Sequence, residues 1–303
     1  YNMKNKNFFF RFYKYQKERF PFVVLIFTTL SVVLSSVAVV AVSNAKLSDY
    51  NLEIFIGTVT CLLFMFNIRV FDDFKDNKFD NKYHKERPVQ RGLITIKELN
   101  LVNFCFILIQ ILLNLIFAKE TLIFWILAMV YSLIARKEFF VKKFIKKHFI
   151  LYNFLNTLQI FFLQIYLYAL IEPMSSIKEP LLIIHFVFVL ANAVILEIAR
   201  KLKSVKKESS GRDTYSGRYG VKKASLTYFF SIFFSFTLFL IIIFQIAYVV
   251  SLVFFGIIVF IMNIMAILYY FFKQDNFSSK LIQGFAILIY LSLHLLIVGA
   301  AFL

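Results

Sequence analysis

The sequence is poor in the residues that mark loop-rich, disulfide-bonded and low-complexity proteins. Its 303 residues include eight Gly, four Pro and two Cys. So few Gly and Pro exclude a collagen-like or low-complexity chain. Cys61 and Cys105 both lie inside apolar runs, which argues against a disulfide framework and against a zinc site.

Long polar stretches are also scarce, and the composition is typical of a membrane protein. Hydrophobic residues make up 60% of the chain, and 41 residues are Phe. The apolar runs extend over about 20 residues, enough for a transmembrane helix, and lack the period-two alternation of a β-barrel. Because only helices and closed barrels span a bilayer, we expect an all-α integral membrane protein. The predicted spans are nine, over 21–43, 50–68, 99–117, 120–135, 148–170, 181–199, 226–247, 249–272 and 281–302.

Positive charge is concentrated in every second connection between these spans. The net charge is +17, and Lys46, Lys119 and Lys178 are the basic residues in the remaining connections. The positive-inside rule then places the N-terminus and the basic loops in the cytoplasm, in a membrane of the bacterial inner or plasma type. No segment is long enough to form a folded basic surface, so membrane lipids are expected as partners and nucleic acid is not. The other 31 of the 34 Lys and Arg residues lie in 1–20, 68–97, 136–147, 200–223 and 273–280.

This charge distribution makes the first testable prediction. Reporter fusions at Lys143 and Lys206 should report a cytoplasmic location, and a fusion at Pro173 should report the exterior, because the basic loops stay inside. A reversed result at any of the three positions would contradict the predicted topology.

The chain is predicted to have a short N-terminal segment and one transmembrane domain with two long connections. Residues 1–20 are predicted to form a cytoplasmic interfacial segment with an amphipathic helix, and 21–303 a single transmembrane domain. The longest connections within that domain are 69–98 and 200–225, and both belong to the basic, cytoplasmic set. We therefore expect the catalytic residues there.

Four aspartates lie within nine residues directly after the second predicted span: Asp72, Asp73, Asp76 and Asp80. On one continuous helix the first, third and fourth share a face, and like charges at this spacing destabilise the helix. Lys75 and Lys78 are expected to project elsewhere and to offset this repulsion only in part. Because Mg²⁺ prefers carboxylate oxygens together with phosphate, the cluster predicts a magnesium site.

The sequence around these acids resembles the first aspartate-rich motif of the UbiA-type intramembrane prenyltransferases. That family has N/D-D-x-x-D-x-x-x-D followed by R-P-x-x-x-G-x-I/V-[ST], and this chain reads D-D-F-K-D-N-K-F-D and then R-P-V-Q-R-G-L-I-T. Asp72 stands where the family usually has Asn. Nine spans with the motif after the second also match, so the resemblance covers the whole chain. The remaining matching positions are Asp73, Asp76, Asp80, Arg87, Pro88, Gly92 and Thr95.

The resemblance implies a nine-helix bundle with a cytoplasmic-side site that uses Mg²⁺ and a prenyl diphosphate. It also implies diphosphate contacts from Arg87 and from Arg136, which ends the fourth span near the position of a family Tyr-x-x-x-Lys-Arg stretch. Ala135 departs from that stretch. The residues implied to bind the first metal are Asp73, Asp76 and Asp80, with Asp72 as an accessory.

The second aspartate motif departs from the family. UbiA-type enzymes often have E-x-x-x-D-x-x-D at the end of the sixth span, and here Glu197 matches the leading acid while Lys201 and Ser204 replace aspartates. In one interpretation Glu197 and Asp213 hold a second Mg²⁺ and nearby cations contact phosphate. In the other, fewer metals bind and cationic side chains replace one of them. These cations are Arg200, Lys201 and Arg212.

Polar residues inside the spans give the remaining indication of an acceptor site, because unpaired polar groups are costly in lipid. Asn153 and Asn156 in the fifth span are best placed to face the site. The predicted activity is transfer of a prenyl group to an aromatic, small or lipid acceptor whose identity stays open. A UbiA-type terpene cyclase and a non-enzymatic lipid or ion carrier are the alternatives.

Overall fold

The computed structural model describes most of the chain and shows it as a succession of helices. The described residues are 7–41, 46–172, 179–208, 211, 213–247 and 249–302. Pro173 and Arg212, which enter the predictions above, lie outside them. Within the described part the α-helices are α1 (Phe8–Arg19), α2 (Phe22–Val40), α3 (Asn51–Lys75), α4 (Asn77–Tyr83), α5 (Ile96–Phe117), α6 (Leu122–Arg136), α7 (Lys142–Lys147), α8 (Phe149–Ile171), α9 (Pro180–Arg200), α10 (Tyr215–Ile246), α11 (Val250–Lys273) and α12 (Asn276–Phe302).

The long apolar helices coincide with the predicted spans, which confirms the all-α membrane fold. In the part of the chain that the structure describes, eight helices are long and apolar enough to cross a membrane. The predicted fourth span corresponds to α6, which has 15 residues and is about 22 Å long. This length is below the roughly 30 Å of a bilayer core, so the count of nine is approximate.

Capping residues and a proline explain where several helices begin. Thr95 and Glu98 form a reciprocal capping box at the start of α5, and Pro180 occupies the first turn of α9, where its missing N–H costs nothing. Helix α10 begins at Tyr215, well before the predicted 226. Gly220 interrupts it with a φ of 76°, a conformation that glycine adopts readily.

The chain forms two compact units, and each is described by itself. The first comprises Tyr1–Leu30 and Leu52–Leu170, and the second comprises Ser31–Asn51 and Ile171–Leu303. The four clustered aspartates belong to the first unit, and Glu197 belongs to the second.

In the first unit, α1 packs into an aromatic core. Tyr15 and Phe20 are buried with Phe66, and the ring centroids of Phe20 and Phe66 are 5.3 Å apart at 87°. Such edge-to-face contacts add to the hydrophobic gain of burial. On the outside of the helix, Phe9 and Tyr13 are exposed, which suits the predicted interfacial position. The helix therefore has one face in the protein core and one apolar face left outside.

In the second unit, three buried polar side chains join α2, α9 and α12. Oγ of Ser35 lies 2.7 Å from Nδ1 of His294 and 3.1 Å from Nε2 of His185. All three side chains are fully buried. Hydrogen bonds of this kind stabilise helix association because the alternative is an unsatisfied polar group in an apolar medium.

We expect Ser35→Ala to lower the thermal unfolding midpoint of the detergent-solubilised protein. The substitution leaves two buried imidazoles without their shared partner, which costs about 1–3 kcal/mol. Ser36→Ala is the matched control, because Oγ of Ser36 bonds to the carbonyl of Val32 in its own helix at 2.8 Å. Equal midpoints for the two variants would contradict the interhelical role.

Candidate functional site

The aspartate segment, residues 72–80, connects α3 to α4. Helix α3 ends one residue before Asp76, whose φ and ψ are −92° and 2°, and α4 begins one residue after it. The amides of Asp76 and Asp80 still bond to the carbonyls of Asp72 and Asp76, both at 2.9 Å. The predicted continuous helix is therefore interrupted at a single residue, which lies in the bridge region of backbone conformation. Asp73 and Asp80 are buried, and the other two acids are partly exposed.

Asp73 is held by three side chains, and the four residues together are named the Asp73 clamp. Nη2 of Arg19 and Nη2 of Arg69 lie 2.6 and 2.5 Å from Oδ1 of Asp73. The hydroxyl of Tyr15 donates to Oδ2 at 2.7 Å. Arg69 is one helical turn before Asp73 and could have been identified by spacing. Tyr15 and Arg19 come from α1, 58 and 54 residues away, and carried no sequence signal.

The charges of the clamp do not cancel. Burial, followed by the negative charge of Asp73, raises the pKa of Tyr15, so this hydroxyl stays protonated as a donor. Burial and the positive charge of Arg69 lower the pKa of Arg19 from its ordinary value. Two guanidiniums thus share one carboxylate. The Nε–H of Arg69 is also buried, and no acceptor for it lies in the described part of the chain.

The downstream R-P-x-x-x-G box begins with Arg87, which pairs with an acid of the aspartate segment, and continues as a turn. Nη1 of Arg87 lies 2.5 Å from Oδ1 of Asp80. The carbonyl of Pro88 accepts the amide of Leu93 at 2.9 Å. Gly92 completes the turn with a φ of 76°, which other residues adopt only with strain. The box therefore combines a cation beside Asp80 with the turn that leads to the cap of α5.

Lys75 lies inside the cluster, so the expectation that it projects elsewhere was wrong. Its Nζ is 2.7 Å from Oδ1 of Asp72 and 3.2 Å from Oδ1 of Asn156. The ammonium also lies 5.2 Å from the ring centroid of Tyr152. The long flexible stem of lysine lets the ammonium reach one turn back along the helix while the methylenes stay buried. Lys78 is exposed, as expected.

Lys75 connects the aspartate segment to α8, the helix that carries both residues predicted for the acceptor. Asn156 contacts Lys75 directly, and Asn153 is buried one turn earlier. Gln159, which shares their face, accepts a hydrogen bond from Ser132 at 2.8 Å and therefore joins α6 to α8. The structure brings Asn156 to the acids, while an acceptor role for either asparagine stays a prediction.

The guanidinium of Arg136 contacts two aromatic rings, one within the aspartate segment and one directly before it. The centre of its guanidinium is 4.2 Å from the ring centroid of Phe74 and 5.0 Å from that of Phe71. Cation–π contacts of this kind hold a guanidinium without neutralising it. The Nε–H of Arg136 is buried, and the described residues offer it no hydrogen-bond acceptor.

The carboxylate oxygens of the aspartate segment are suitable ligands for Mg²⁺, but in the structure three of these carboxylates form ion pairs with Lys or Arg side chains. Hard carboxylate oxygens at an interface are ligands for this ion. Over the described ranges, no group of three His, Cys, Asp or Glu side chains is arranged to hold a metal. A metal would therefore take these carboxylates from their present partners. The ion pairs are Asp72 with Lys75, Asp73 with Arg19 and Arg69, and Asp80 with Arg87.

In the second unit, Glu197 is paired with Arg200 and Lys201, two of the cations predicted to bind the diphosphate. Nη2 of Arg200 lies 2.6 Å from Oε2, and Nζ of Lys201 lies 2.7 Å from Oε1. These are i,i+3 and i,i+4 contacts at the end of α9. These three residues, named the Glu197 triplet, place two cations beside one carboxylate, as the Asp73 clamp does in the first unit.

The loop from Lys201 to α10 is organised by an acid that the sequence did not single out. Glu208 accepts the hydroxyls of Thr214 and Ser216, the latter at 2.5 Å. The amide of Lys203 donates to Oγ of Ser216 at 2.9 Å. Asp213 is partly buried beside Thr214, and its predicted metal role with Glu197 stays untested.

Comparisons with known proteins identify the family and the fold. The model of the UbiA prenyltransferase family matches residues 24–293. No curated protein matches the chain. Among solved structures, the chain is similar to a digeranylgeranylglyceryl phosphate synthase, with 16% identity and a TM-score of 0.54 over 96% of this chain and 99% of that one. At this identity the structural similarity shows the fold.

Proposed function

The chain belongs to the UbiA prenyltransferase family, and we propose that it transfers a prenyl group from a prenyl diphosphate to an acceptor within the membrane, with Mg²⁺. The observation that supports this most directly is the aspartate segment. Its carboxylates and the cations paired with them lie together at the end of α3. They supply both the hard oxygens that a metal needs and the donors that a diphosphate needs.

The proposed roles divide between the carboxylates and their partners. Bound Mg²⁺ would neutralise charge on the diphosphate and so make it a better leaving group. The residues that would hold it are Asp72, Asp73, Asp76 and Asp80. Arg87 and Arg136 would donate to phosphate oxygens, and these preorganised donors stabilise the leaving group as its charge develops.

The proposed reaction breaks one bond and forms one. The bond between the first prenyl carbon and the diphosphate oxygen breaks, and its electron pair leaves with the diphosphate. A nucleophilic atom of the acceptor bonds to that carbon and loses a proton. The positively charged prenyl carbon must be kept from water, and aromatic rings beside it would stabilise its charge.

The Glu197 triplet favours the interpretation in which cations replace a metal of the second motif. Arg200 and Lys201 neutralise the only motif acid that this chain keeps, so little negative charge remains there for a second Mg²⁺. We propose that Arg200 and Lys201 contact phosphate. We also propose that the loops carrying both motifs are cytoplasmic, on the strength of the charge distribution.

Product analysis tests the proposal. Purified protein should be incubated with Mg²⁺ and prenyl diphosphates of several lengths, with and without an extract containing lipid and aromatic acceptors. We expect inorganic diphosphate and a prenylated acceptor only when the extract is present. A cyclic hydrocarbon or alcohol without acceptor would identify a cyclase. No diphosphate release under either condition would contradict enzymatic function and support a carrier.

A further inference from the structure

The N-terminal helix reaches the proposed diphosphate site, although neither the family motif nor the charge pattern assigns it a role there. Two ion pairs fix α1 to the first unit at each end of the helix. Arg11 binds both carboxylate oxygens of Glu98, at 2.6 and 3.1 Å. Arg91 binds both oxygens of Glu18, at 2.6 and 2.9 Å. With Tyr15 buried between them, the position of Arg19 at the end of α1 is well defined.

The Asp73 clamp has more donors and more positive charge than its single carboxylate can satisfy. A guanidinium carries five N–H donors, and Arg19 and Arg69 each give one nitrogen to the same oxygen of Asp73. One buried donor of Arg69 meets no acceptor among the described residues. Because the groups are largely shielded from solvent, with 14% of each arginine side chain exposed, water can satisfy few of the remaining N–H donors.

An anion with several oxygens would accept hydrogen bonds from the remaining N–H groups of Arg19 and Arg69 and would add negative charge beside them. Two adjacent guanidiniums present planar forks that match the oxygens of a phosphate group. Asp73 then acts as the counter-ion that keeps Arg19 and Arg69 together before substrate arrives.

We propose that Arg19 and Arg69 form a binding site for one phosphate group of the prenyl diphosphate, with Tyr15 and Asp73 as positioning residues. This inference rests on the proposed function and makes α1 part of the binding machinery. On substrate binding the two guanidiniums exchange Asp73 for phosphate oxygens, and Asp73 becomes available to a metal.

The test is the affinity of the full-length protein for inorganic diphosphate, measured by isothermal titration calorimetry at several Mg²⁺ concentrations. We expect Arg19→Gln and Arg69→Gln to raise the Kd about tenfold to a hundredfold, as for loss of charged hydrogen bonds. Arg19→Lys, which keeps the charge but not the fork, should have a smaller effect. The loss should persist at saturating Mg²⁺, because these residues contact phosphate and not metal.

Two further variants separate binding from folding. Tyr15→Phe keeps the buried ring and removes only the hydroxyl, and should raise the Kd a few-fold with an unchanged melting midpoint. Arg11→Gln is the matched control, because it breaks an ion pair of the same helix without touching Asp73. Because Arg11 acts on Arg19 only by helping to hold α1 in place, the Kd of Arg11→Gln should rise by much less than that of Arg19→Gln. If Arg11→Gln weakens binding as much as Arg19→Gln, α1 acts only by docking and the inference is overturned.

The same titrations distinguish failure of this inference from failure of the proposed function. Unchanged affinity in Arg19→Gln, in a preparation whose wild type binds diphosphate and turns over prenyl diphosphate, overturns the inference alone. Recovery of Arg19→Gln at high Mg²⁺ also overturns it, since Arg19 would then only orient a metal ligand. A wild type that neither binds nor releases diphosphate overturns both.

Discussion

Asp76→Ala and Asp80→Ala should each reduce turnover of prenyl diphosphate by at least about a hundredfold, the scale of losing a group that stabilises charge in a transition state. Asp76 occupies the break between α3 and α4, and Asp80 is buried against Arg87. Both are proposed metal ligands, so their loss removes hard oxygens that no neighbouring side chain replaces. The measurement is release of inorganic diphosphate at saturating substrate and Mg²⁺.

The control for these variants is Glu86→Ala in the same connection. The side chain of Glu86 is 75% exposed, and its removal changes the charge of the loop by the same amount. We expect activity close to that of the wild type. Wild-type activity in Asp76→Ala or Asp80→Ala, with normal expression and monodispersity, would refute the metal assignment.

Lys201→Asp addresses the departure from the second family motif. If Lys201 contacts phosphate, the substitution removes a cation and places a carboxylate beside Glu197. The value of kcat/KM should then fall about tenfold to a hundredfold, because a charge-assisted contact contributes roughly 1.5–3 kcal/mol. The assay is turnover against Mg²⁺ concentration.

Lys206→Asp is the matched control, since Lys206 is exposed in the same connection and the charge change is identical. It should be nearly silent. Equal effects of the two substitutions would mean that Lys201 does not contact phosphate and only contributes to the positive-inside charge pattern. A gain of activity and of Mg²⁺ affinity in Lys201→Asp would mean that the chain has lost part of an ordinary metal site, contrary to our interpretation.

The membrane helices were predictable because lipid solvation leaves few alternatives. A run such as 249–272 contains no charged residue, and a spanning segment of this kind must satisfy its backbone internally as a helix. The ends of the helices were less predictable. Polar residues continue α10 back to Tyr215, since helix formation there depends on the cap at Thr214 and on tertiary contacts, not on hydropathy.

The clustering of acids in the candidate site was predictable, and the ion-pair partners of these acids mostly were not. Asp76 and Asp80 stand out because clustered carboxylates at a helix end are unfavourable without a compensating cation. The approach of Tyr15 and Arg19 to Asp73 depends on how α1 packs against Phe66, which no local pattern encodes. The inward turn of Lys75 similarly depends on Asn156 and Asp72 both lying within its reach.

The most direct test of the account is binding of an unreactive prenyl thiolodiphosphate to the wild type and to Asp76→Ala, with and without Mg²⁺. Isothermal titration calorimetry gives both affinities without turnover. We predict that Mg²⁺ tightens binding to the wild type by at least about tenfold, or roughly 1.4 kcal/mol, and that Asp76→Ala loses this dependence. Equal affinity with and without Mg²⁺ in the wild type, or an undiminished Mg²⁺ effect in Asp76→Ala, would contradict a metal-assisted diphosphate site at the end of α3.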